Sequence, residues 1–389
     1  MRYRITAGAL AVGIAALAGA TAAQAQTKEM VYSSYLPPKH LMNTFGIEPM
    51  FKELAAAGIP WKLVTGGQMF SAQNTLKGVG NRTADGGGPT VTPYTRAELK
   101  HANIVADLLM FGRDSMAMSA AAVETYMLNC PECLDDYKRN GTVYLSGYGV
   151  GGYTLLCNKQ VAKLADVEGK KVRTTGPLGR WAKAMGGTPV NMTSGDMVEA
   201  MARGQIDCIM GSIAWLKAYP LDDSVKSIYE YNLGSLAGIG LFIVNRKVWD
   251  GYTADQHKKI LAAQAGGVAR TVLAGYIGDE ARARNLAKEK GIPINKAGDD
   301  IMKVWSTFKE HELELTIKNA EKIGVKEPKR IADSFLKNLA KWEDMVNKAG
   351  LPKMVDAAGT DQAKLDAATK IYQDMIQKTI YDKVDVAKL

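Results

Sequence analysis

The stretch from residue 164 to residue 210 decides the fold, and it reads LADVEGKKVRTTGPLGRWAKAMGGTPVNMTSGDMVEAMARGQIDCIM. A β-favouring run at residues 172–174 leads into Gly176 and Pro177, and a proline there is typical of the first turn of a helix. This pattern predicts an α/β unit with Arg173 near the carboxyl end of its strand, the edge where open α/β sheets bind ligands. A guanidinium at that edge can hold a carboxylate or a sulfonate through two parallel hydrogen bonds. On spacing alone, an exposed Arg173 in a surface ion pair is the competing interpretation.

Strand-like and helix-like segments alternate through the first 300 residues. The other β-favouring runs lie at residues 30–35, 61–65, 142–146, 153–157 and 239–244. Such alternation predicts an α/β architecture with largely parallel sheets. After about residue 300, apolar residues recur at helical spacing and predict a C-terminal helical extension packed on the α/β body. Two predicted apolar faces consist of Ile331, Phe335, Leu339 and Trp342, and of Ala368, Ile371, Tyr372 and Met375.

The N-terminal segment has the pattern of a secretory signal peptide. Arg2 and Arg4 precede an apolar run at residues 5–20, and Ala23-Gln24-Ala25 forms an A-x-A cleavage site. We therefore predict cleavage after Ala25 and export to a bacterial periplasm. Cleavage lowers the formal net charge of the 389-residue chain from +9 to +7. The remaining basic residues are interspersed with acids, which argues against nucleic acid as a partner. No later run of about 18 apolar residues predicts a membrane span.

All four cysteines lie in the predicted mature chain, where an oxidising compartment favours disulfides. Cys130 and Cys133 form a C-x-x-C, for which a local structural disulfide is the favoured interpretation. Redox activity and free thiols are the alternatives, and a thioredoxin-like motif belongs after the first strand of its domain rather than here. Cys157 and Cys208 lie inside apolar stretches and are predicted to be small core residues.

Motifs for covalent chemistry and for metal binding are weak throughout the sequence. The glycines at 147–152 match G-x-G-x-x-G, but a strand-like run follows them instead of the helix that a dinucleotide site needs. We interpret this segment as a strand–turn–strand crossing. The four histidines are scattered, so that no metal ligand cluster is indicated. No serine lies in a G-x-S-x-G elbow, and the chain is expected to have no cofactor and no catalytic site.

Five blocks occur in a fixed order along the chain. They read YLPPKH at 35–40, DVEGKKVR at 166–173, GTPV at 187–190, MVEAM at 197–201 ahead of GQID at 204–207, and FIVNRKVWD at 242–250. Together they resemble the dicarboxylate-type solute-binding proteins of tripartite ATP-independent periplasmic (TRAP) transporters. The resemblance covers residues 30–291, and the helical tail is longer than is usual in that family.

The resemblance implies two α/β lobes of the Venus-flytrap type, joined by crossing strands near residues 147–152 and Leu236. It places lobe I at residues 26–150 and 238–278 and lobe II at residues 151–237 and 279–320. Residues 321–389 are expected to form helices packed on the lobes. Proteins of this family capture organic anions in the periplasm and deliver them to a membrane permease, without enzymatic activity. A monomer is expected, with a dimer through the helical tail left as an alternative.

By resemblance, Arg173 falls on the anion-clamping arginine of the family. Three positions depart from the family pattern: Tyr153 replaces a second arginine, Gly211 replaces an asparagine, and Ser194 replaces a common aromatic residue. These departures favour a ligand with less charge, or with a bulkier apolar or aromatic body, than a sialic acid or a C4-dicarboxylate. The other candidate pocket residues are Tyr35, His40, Thr90, Tyr94 and Trp215.

The sequence supports three interpretations of function. The first is a TRAP solute-binding protein whose ligand is an organic carboxylate, aromatic or hydroxylated, or a sulfonate. The second is a binding protein of another transporter class, and the third is an exported enzyme on an α/β scaffold.

Overall fold

The computed structural model describes residues 28–389, so the predicted signal peptide lies outside the described residues. The described strands form two sheets, each at the centre of one lobe. The strands are β1 Met30–Ser33, β2 Trp61–Val64, β3 Gly86–Gly87, β4 Thr142–Tyr148, β5 Tyr153–Cys157, β6 Lys171–Thr174, β7 Thr188–Asn191, β8 Cys208–Ser212, β9 Ser227–Glu230, β10 Ile239–Asn245 and β11 Ile294–Lys296.

The helices surround both sheets and continue into the C-terminal region. They are α1 Glu48–Ala56, α2 Thr75–Gly80, α3 Asn103–Asp107, α4 Ser115–Glu124, α5 Pro131–Arg139, α6 Leu178–Ala184, α7 Met197–Ala202, α8 Trp215–Ala218, α9 Arg246–Asp250, α10 Ala254–Ala269, α11 Gly278–Glu289, α12 Asp299–Lys322, α13 Pro328–Lys348, α14 Leu351–Ala358 and α15 Gln362–Thr379. Short 3₁₀ and π turns connect several of these helices.

The sheets are mixed rather than largely parallel, which corrects the prediction from sequence. Lobe I has the strand order β2-β1-β3-β10-β4, and lobe II has the order β11-β9-β5-β8-β6-β7. Strands β10 and β5 run antiparallel to both of their neighbours, whereas the other pairings are parallel. The chain passes from lobe I to lobe II between β4 and β5 and returns between β9 and β10. The outgoing and returning strands therefore have opposite directions, which makes them antiparallel partners.

The crossing between the lobes is the glycine-rich segment that the sequence predicted. It joins β4 directly to β5, with no helix after it, so that it lacks the geometry of a dinucleotide site. The amide of Val150 donates to the Leu236 carbonyl at 3.0 Å, which ties the outgoing segment to the returning one. A Cβ added at Gly151 would lie 1.8 Å from Oε1 of Glu280, so a side chain cannot be placed there without rearrangement.

The C-terminal helices pack on both lobes, as the sequence predicted. In lobe II, Phe308 of α12 lies with its ring centroid 5.5 Å from that of Trp181. In lobe I, the Trp342 indole of α13 donates to Glu124 at 2.6 Å, and the Tyr372 hydroxyl of α15 donates to the Met116 carbonyl at 2.6 Å. The C-terminal helices thus make side-chain contacts with both lobes.

One residue of the two predicted apolar faces is placed differently. Ile371 is among the exposed large hydrophobic side chains, at 38%. The buried face of α15 is instead formed by Leu365, Ala368, Thr369, Tyr372 and Ile376.

One long helical segment bridges the two lobes. It runs from Ala254 to Glu289 through a π-helical stretch, Arg270–Ile277, between α10 and α11. Its length and hydropathy would allow it to cross a membrane, which corrects the prediction that no later apolar run is long enough for a span. However, 83% of its most apolar window is buried inside the protein, which is the environment of a core helix.

Two disulfides are present in the described residues. Cys130 and Cys133 are joined at the start of α5, in the pairing that the sequence favoured. Cys157 and Cys208 are fully buried core residues, as predicted, but they are also joined in a second disulfide that the sequence analysis did not predict. They are direct partners in the antiparallel pair of β5 and β8, a register that brings the two sulfurs together and that is not visible in the sequence.

Candidate functional site

The Arg173 side chain lies at the interface of the two lobes and is fully buried, at 0% exposure. It extends from β6, the strand between β7 and β8 in the sheet of lobe II. Its Nε donates to the Met192 carbonyl at 3.1 Å, and its Nη1 lies 3.5 Å from the Met210 carbonyl. These carbonyls hold the guanidinium in place over the edge of the sheet, as the strand-end position predicted. The competing interpretation of an exposed surface ion pair is wrong.

No carboxylate of the described chain lies within 4.0 Å of the Arg173 guanidinium. Its remaining neighbours are the Tyr94 hydroxyl, at 2.9 Å from Nη2, and the Trp215 ring, whose centroid lies 5.6 Å from Cζ. An arginine stays protonated in proteins, and a buried charge without a counter-ion is costly. The site therefore contains a positive charge for which residues 28–389 provide no counter-ion.

Tyr94 connects the two lobes at this charge. It ends a short 3₁₀ turn of lobe I, Thr92–Tyr94, and its hydroxyl oxygen accepts hydrogen bonds from two groups of lobe II. These donors are Nη2 of Arg173 at 2.9 Å and the backbone amide of Ser194 at 3.0 Å. A carboxylate oxygen can accept hydrogen bonds from the same two donors.

A small cavity surrounds this cluster between the lobes. Its volume is about 20 Å³, space for roughly one water molecule. An organic acid can enter only after the lobes separate or the side chains rearrange. The lining residues are Tyr35, Leu36, His40, Pro89, Val91, Tyr94, Tyr148, Val150, Tyr153, Arg173, Thr175, Ser194, Trp215, Tyr219, Leu236, Ile239 and Tyr276.

Seven of the site residues predicted from sequence lie in this lining. They are Tyr35, His40, Tyr94, Tyr153, Arg173, Ser194 and Trp215. Thr90 and Gly211 are not in the lining. Thr90 is buried nearby and exchanges backbone hydrogen bonds with Gly240.

Gly211 shapes the cavity from behind the Trp215 ring. It lies in β8, and a Cβ added there would come within 2.2 Å of that ring. The missing side chain lets the indole occupy the space, so that an aromatic surface stands where the family pattern has an asparagine.

The cavity has Arg173 as its one formal charge, because the other titratable groups that line it are neutral. Burial lowers the pKa of His40 to about 3. Burial also raises the pKa values of the Tyr35, Tyr148 and Tyr276 hydroxyls well above their usual value near 10. A ligand in this space therefore meets a single cation in an aromatic surrounding.

Three aromatic lining residues were missed by the sequence analysis. Tyr148 is the last residue of β4 and directly precedes the crossing, a position that could have identified it. Tyr219 follows α8, four residues after Trp215, and its ring lies 5.7 Å from that of Trp215. Tyr276 belongs to the π-helical stretch of the bridging helix and stacks on Tyr148 at 5.8 Å, a contact that has no local sequence signal.

The family model for bacterial extracellular solute-binding proteins, family 7, matches residues 49–314, more than half of the chain. The chain belongs to this family. The resemblance to TRAP solute-binding proteins found in the sequence is thereby confirmed, and with it the two-lobe α/β fold. The family and its solved members are binding proteins and not enzymes. A search of curated protein sequences gives no significant match to this family 7 protein.

Solved structures of TRAP solute-binding proteins share the fold of this family 7 protein. One from Rhodoferax ferrireducens T118, in complex with benzoate, is 16% identical with a TM-score of 0.72, over 82% of this chain and 100% of that one. One from a marine metagenome, specific for aromatic acid ligands and in complex with 3-hydroxybenzoate, is 21% identical with a TM-score of 0.71, over 82% and 99%. One from Bordetella bronchiseptica, with bound (R)- and (S)-mandelate, is 21% identical with a TM-score of 0.66, over 80% and 99%.

Proposed function

We propose that this protein captures an organic carboxylate in the cleft between its lobes and delivers it to a TRAP-type membrane permease. The observation that carries the proposal is the fully buried Arg173 guanidinium, which has no carboxylate partner in the described chain. A monocarboxylate supplies the missing negative charge and fits two parallel N–H donors of the guanidinium. A sulfonate is the second candidate anion, because its oxygens accept hydrogen bonds in a similar way.

The body of the ligand is proposed to be apolar or aromatic. The lining offers one cation, and Tyr153 and Trp215 place rings around it where the family pattern has polar side chains. Aromatic rings pack well against each other in offset or edge-to-face arrangements. The relatives that hold benzoate, 3-hydroxybenzoate and mandelate support this choice of class.

We propose that binding of the anion is coupled to closure of the lobes. Micromolar affinity corresponds to about 8 kcal/mol, and a hydrogen bond to a charged group contributes ~1.5–3 kcal/mol. Arg173 therefore supplies a fraction of the affinity, and burial of the ligand between the lobes supplies the rest. In this mechanism one carboxylate oxygen takes the place of the Tyr94 hydroxyl at Nη2 of Arg173 and at the Ser194 amide.

The remaining predictions from sequence become part of this proposal. We place the protein in the periplasm after removal of residues 1–25, with the permease subunits as its partner. We divide it into lobe I at 26–150 and 238–278, lobe II at 151–237 and 279–320, and C-terminal helices at 321–389. It acts as a monomer without a cofactor, and it releases its ligand chemically unchanged.

Replacement of Arg173 tests the proposed function. Arg173→Gln keeps a hydrogen-bonding side chain but removes the charge, and we expect its affinity for carboxylates to fall about 100-fold, which corresponds to roughly 3 kcal/mol. The wild type is first screened against organic acids, including benzoate and 3-hydroxybenzoate, by thermal shift, and the hits are titrated by calorimetry.

Arg203→Gln serves as the matched control, because Arg203 lies on the surface of the same lobe and pairs with Glu199. It should bind like the wild type. Unchanged affinity in Arg173→Gln would contradict the anion clamp, and conversion of the bound acid to a product during incubation would favour the exported enzyme instead.

A further inference from the structure

A second polar group in the cleft, the imidazole of His40, takes no part in the proposed anion clamp. His40 lines the same cavity as Arg173 but belongs to lobe I, in the segment between β1 and α1. Its side chain is 1% exposed, and its ring packs edge-to-face on Tyr219 of lobe II at 5.1 Å. The histidine is therefore a lobe I residue placed at the lobe interface.

The protonation of the His40 ring follows from its surroundings. Nδ1 lies 3.2 Å from the backbone amide of Met42 and accepts its hydrogen bond. A nitrogen that accepts cannot also carry the proton of a neutral imidazole, so the proton is on Nε2. Burial lowers the pKa of His40 to about 3, which keeps the ring neutral near pH 7. Nε2–H is consequently a fixed hydrogen-bond donor with no acceptor capacity.

This donor has no partner among the described residues. Nε2 of His40 is buried and makes no hydrogen bond in the protein. A buried donor without an acceptor is costly, and native proteins rarely leave one unpaired. The Trp215 indole N–H also lacks a hydrogen bond, although the Tyr276 hydroxyl lies close to it. The Thr175 hydroxyl is a third lining group without a hydrogen bond, but a hydroxyl can rotate and can also accept. His40 is thus the clearest unpaired donor of fixed direction in the described lining.

We propose that Nε2–H of His40 is a specificity determinant that donates to an acceptor oxygen on the body of the bound acid, away from its carboxylate. This inference rests on the proposed function, since it concerns the acid that Arg173 holds. Successive ring contacts connect Arg173 to His40: the Trp215 centroid lies 5.6 Å from Cζ of Arg173, the Tyr219 ring lies 5.7 Å from that of Trp215, and the His40 ring lies 5.1 Å from that of Tyr219. The ligand class is therefore a ring monocarboxylate with a carbonyl or ether oxygen on the ring, rather than a plain hydrocarbon acid.

The selectivity arises from the cost of leaving a donor unpaired. A site that is built to donate a hydrogen bond discriminates strongly against an analogue without the acceptor, because the site's own group is then left unsatisfied. The discrimination should not vary between pH 5 and pH 8, because His40 is neutral throughout that range.

The test compares two acids of nearly equal shape, 3-oxocyclohexanecarboxylate and 3-methylenecyclohexanecarboxylate, by calorimetry. The wild type should bind the oxo acid at least about tenfold more tightly. His40→Phe retains an aromatic ring but removes the donor. It should bind the methylene acid at least as tightly as the wild type, because no unpaired donor remains, and it should lose the preference for the oxo acid. His40→Gln restores an N–H donor and should regain part of the preference.

The outcomes separate this inference from the proposed function. Equal binding of the two acids by the wild type, or an unchanged preference in His40→Phe, overturns the role of His40 and leaves the anion clamp intact. Failure of both acids to bind the wild type contradicts the ring monocarboxylate class, and the Arg173→Gln experiment then decides on the clamp alone. The methylene acid also reports folding, because its affinity drops if His40→Phe disturbs the cleft through the lost Met42 contact.

Discussion

At the scale of single residues, the site depends on one buried charge, on Arg173, and on the hydroxyl of Tyr94 that faces it across the cleft. Arg173 is neutralised by no acid of the described chain, and the nearest group that approaches it from lobe I is the neutral Tyr94 hydroxyl. A hydroxyl oxygen accepts hydrogen bonds but carries no charge, so it satisfies the geometry of the guanidinium without satisfying its electrostatics. A carboxylate satisfies both, which gives the ligand an advantage over Tyr94 for the same donors.

Removal of the Tyr94 hydroxyl should therefore strengthen carboxylate binding. In Tyr94→Phe, no hydroxyl competes with the ligand for Nη2 of Arg173 and the Ser194 amide. We therefore expect the affinity for carboxylates to rise about five- to tenfold. The same change should lower the free energy of unfolding by about 1 kcal/mol, because two buried donors lose their acceptor. Calorimetry and denaturant titration measure the two effects.

Tyr231→Phe is the control for the loss of a buried hydroxyl. Its oxygen accepts from the Trp181 indole at 3.4 Å, outside the cavity lining, so the variant should change stability but not affinity. Weaker binding by Tyr94→Phe would mean that the hydroxyl contacts the ligand instead of competing with it.

At the scale of elements, a disulfide cross-links β5 and β8, two adjacent central strands of the lobe II sheet. The Cys157–Cys208 disulfide joins β5 to β8 across 51 residues of sequence, and β8 is paired in turn with β6, which carries Arg173. The bond therefore ties the strand that enters lobe II to the strands that hold the anion clamp.

Replacing Cys157 and Cys208 together by alanine should lower the free energy of unfolding by about 2–4 kcal/mol, the range for a loop of this length. Denaturant unfolding of the oxidised proteins measures it. The double variant Cys130→Ala, Cys133→Ala is the comparison, because its disulfide spans a sequence separation of 3 and constrains the unfolded chain much less. An equal loss in both variants would contradict the argument from loop length.

At the scale of the whole molecule, the titratable group Glu280 lies where the bridging helix meets the crossing between the lobes. Glu280 lies in the first turn of α11 beside the glycine crossing, and its Oε1 accepts a hydrogen bond from the Ser212 hydroxyl at 3.1 Å. Burial raises the pKa of Glu280 from its usual 4.5 to about 7, although the charge of nearby Arg284 opposes the shift. Burial of Glu280 is thus least costly when its carboxyl group is protonated, although the hydrogen bond from Ser212 favours the ionised form.

The sign of the resulting pH dependence follows from the raised pKa. The folded protein retains the Glu280 proton to higher pH than the unfolded chain, so this contribution to stability is complete below pH 4.5 and is lost as the pH rises through about 7. Glu280→Gln mimics the protonated form and should remove that loss, which amounts to at most about 1.4 kcal/mol per pH unit. The measurement is the difference in unfolding free energy between variant and wild type at pH 5 and pH 8.

His40 titrates in the opposite sense, since its lowered pKa makes stability fall as the pH decreases from 6.5 toward 3. It is present in both proteins, so the difference between them isolates Glu280. A difference that is the same at pH 5 and pH 8 would show that Glu280 is not protonated in the folded protein.

Local signals predicted the elements that carry a strong pattern. The run at 153–157 is β5 without any change of bounds, and Pro177 directly precedes α6 as expected for a helix start. The strand Gly86–Gly87 was missed because glycine has little β propensity. It is a strand because it pairs with β1 and β10, and glycine is needed there because a Cβ at Gly86 would lie 2.8 Å from Phe242 and 2.9 Å from Trp61.

The sequence by itself determined the α/β class, the crossing at the glycines, the helical extension and the position of Arg173 at a strand end. Periodicity, turn chemistry and family blocks are local properties, which is why they can be recognised without a structure. Only the tertiary structure decided that Cys157 pairs with Cys208, that Gly211 makes room for Trp215, and that Arg173 is buried without a counter-ion. These facts depend on strand register and on contacts between residues far apart in the chain, because burial and partnership are properties of the folded molecule and not of any segment.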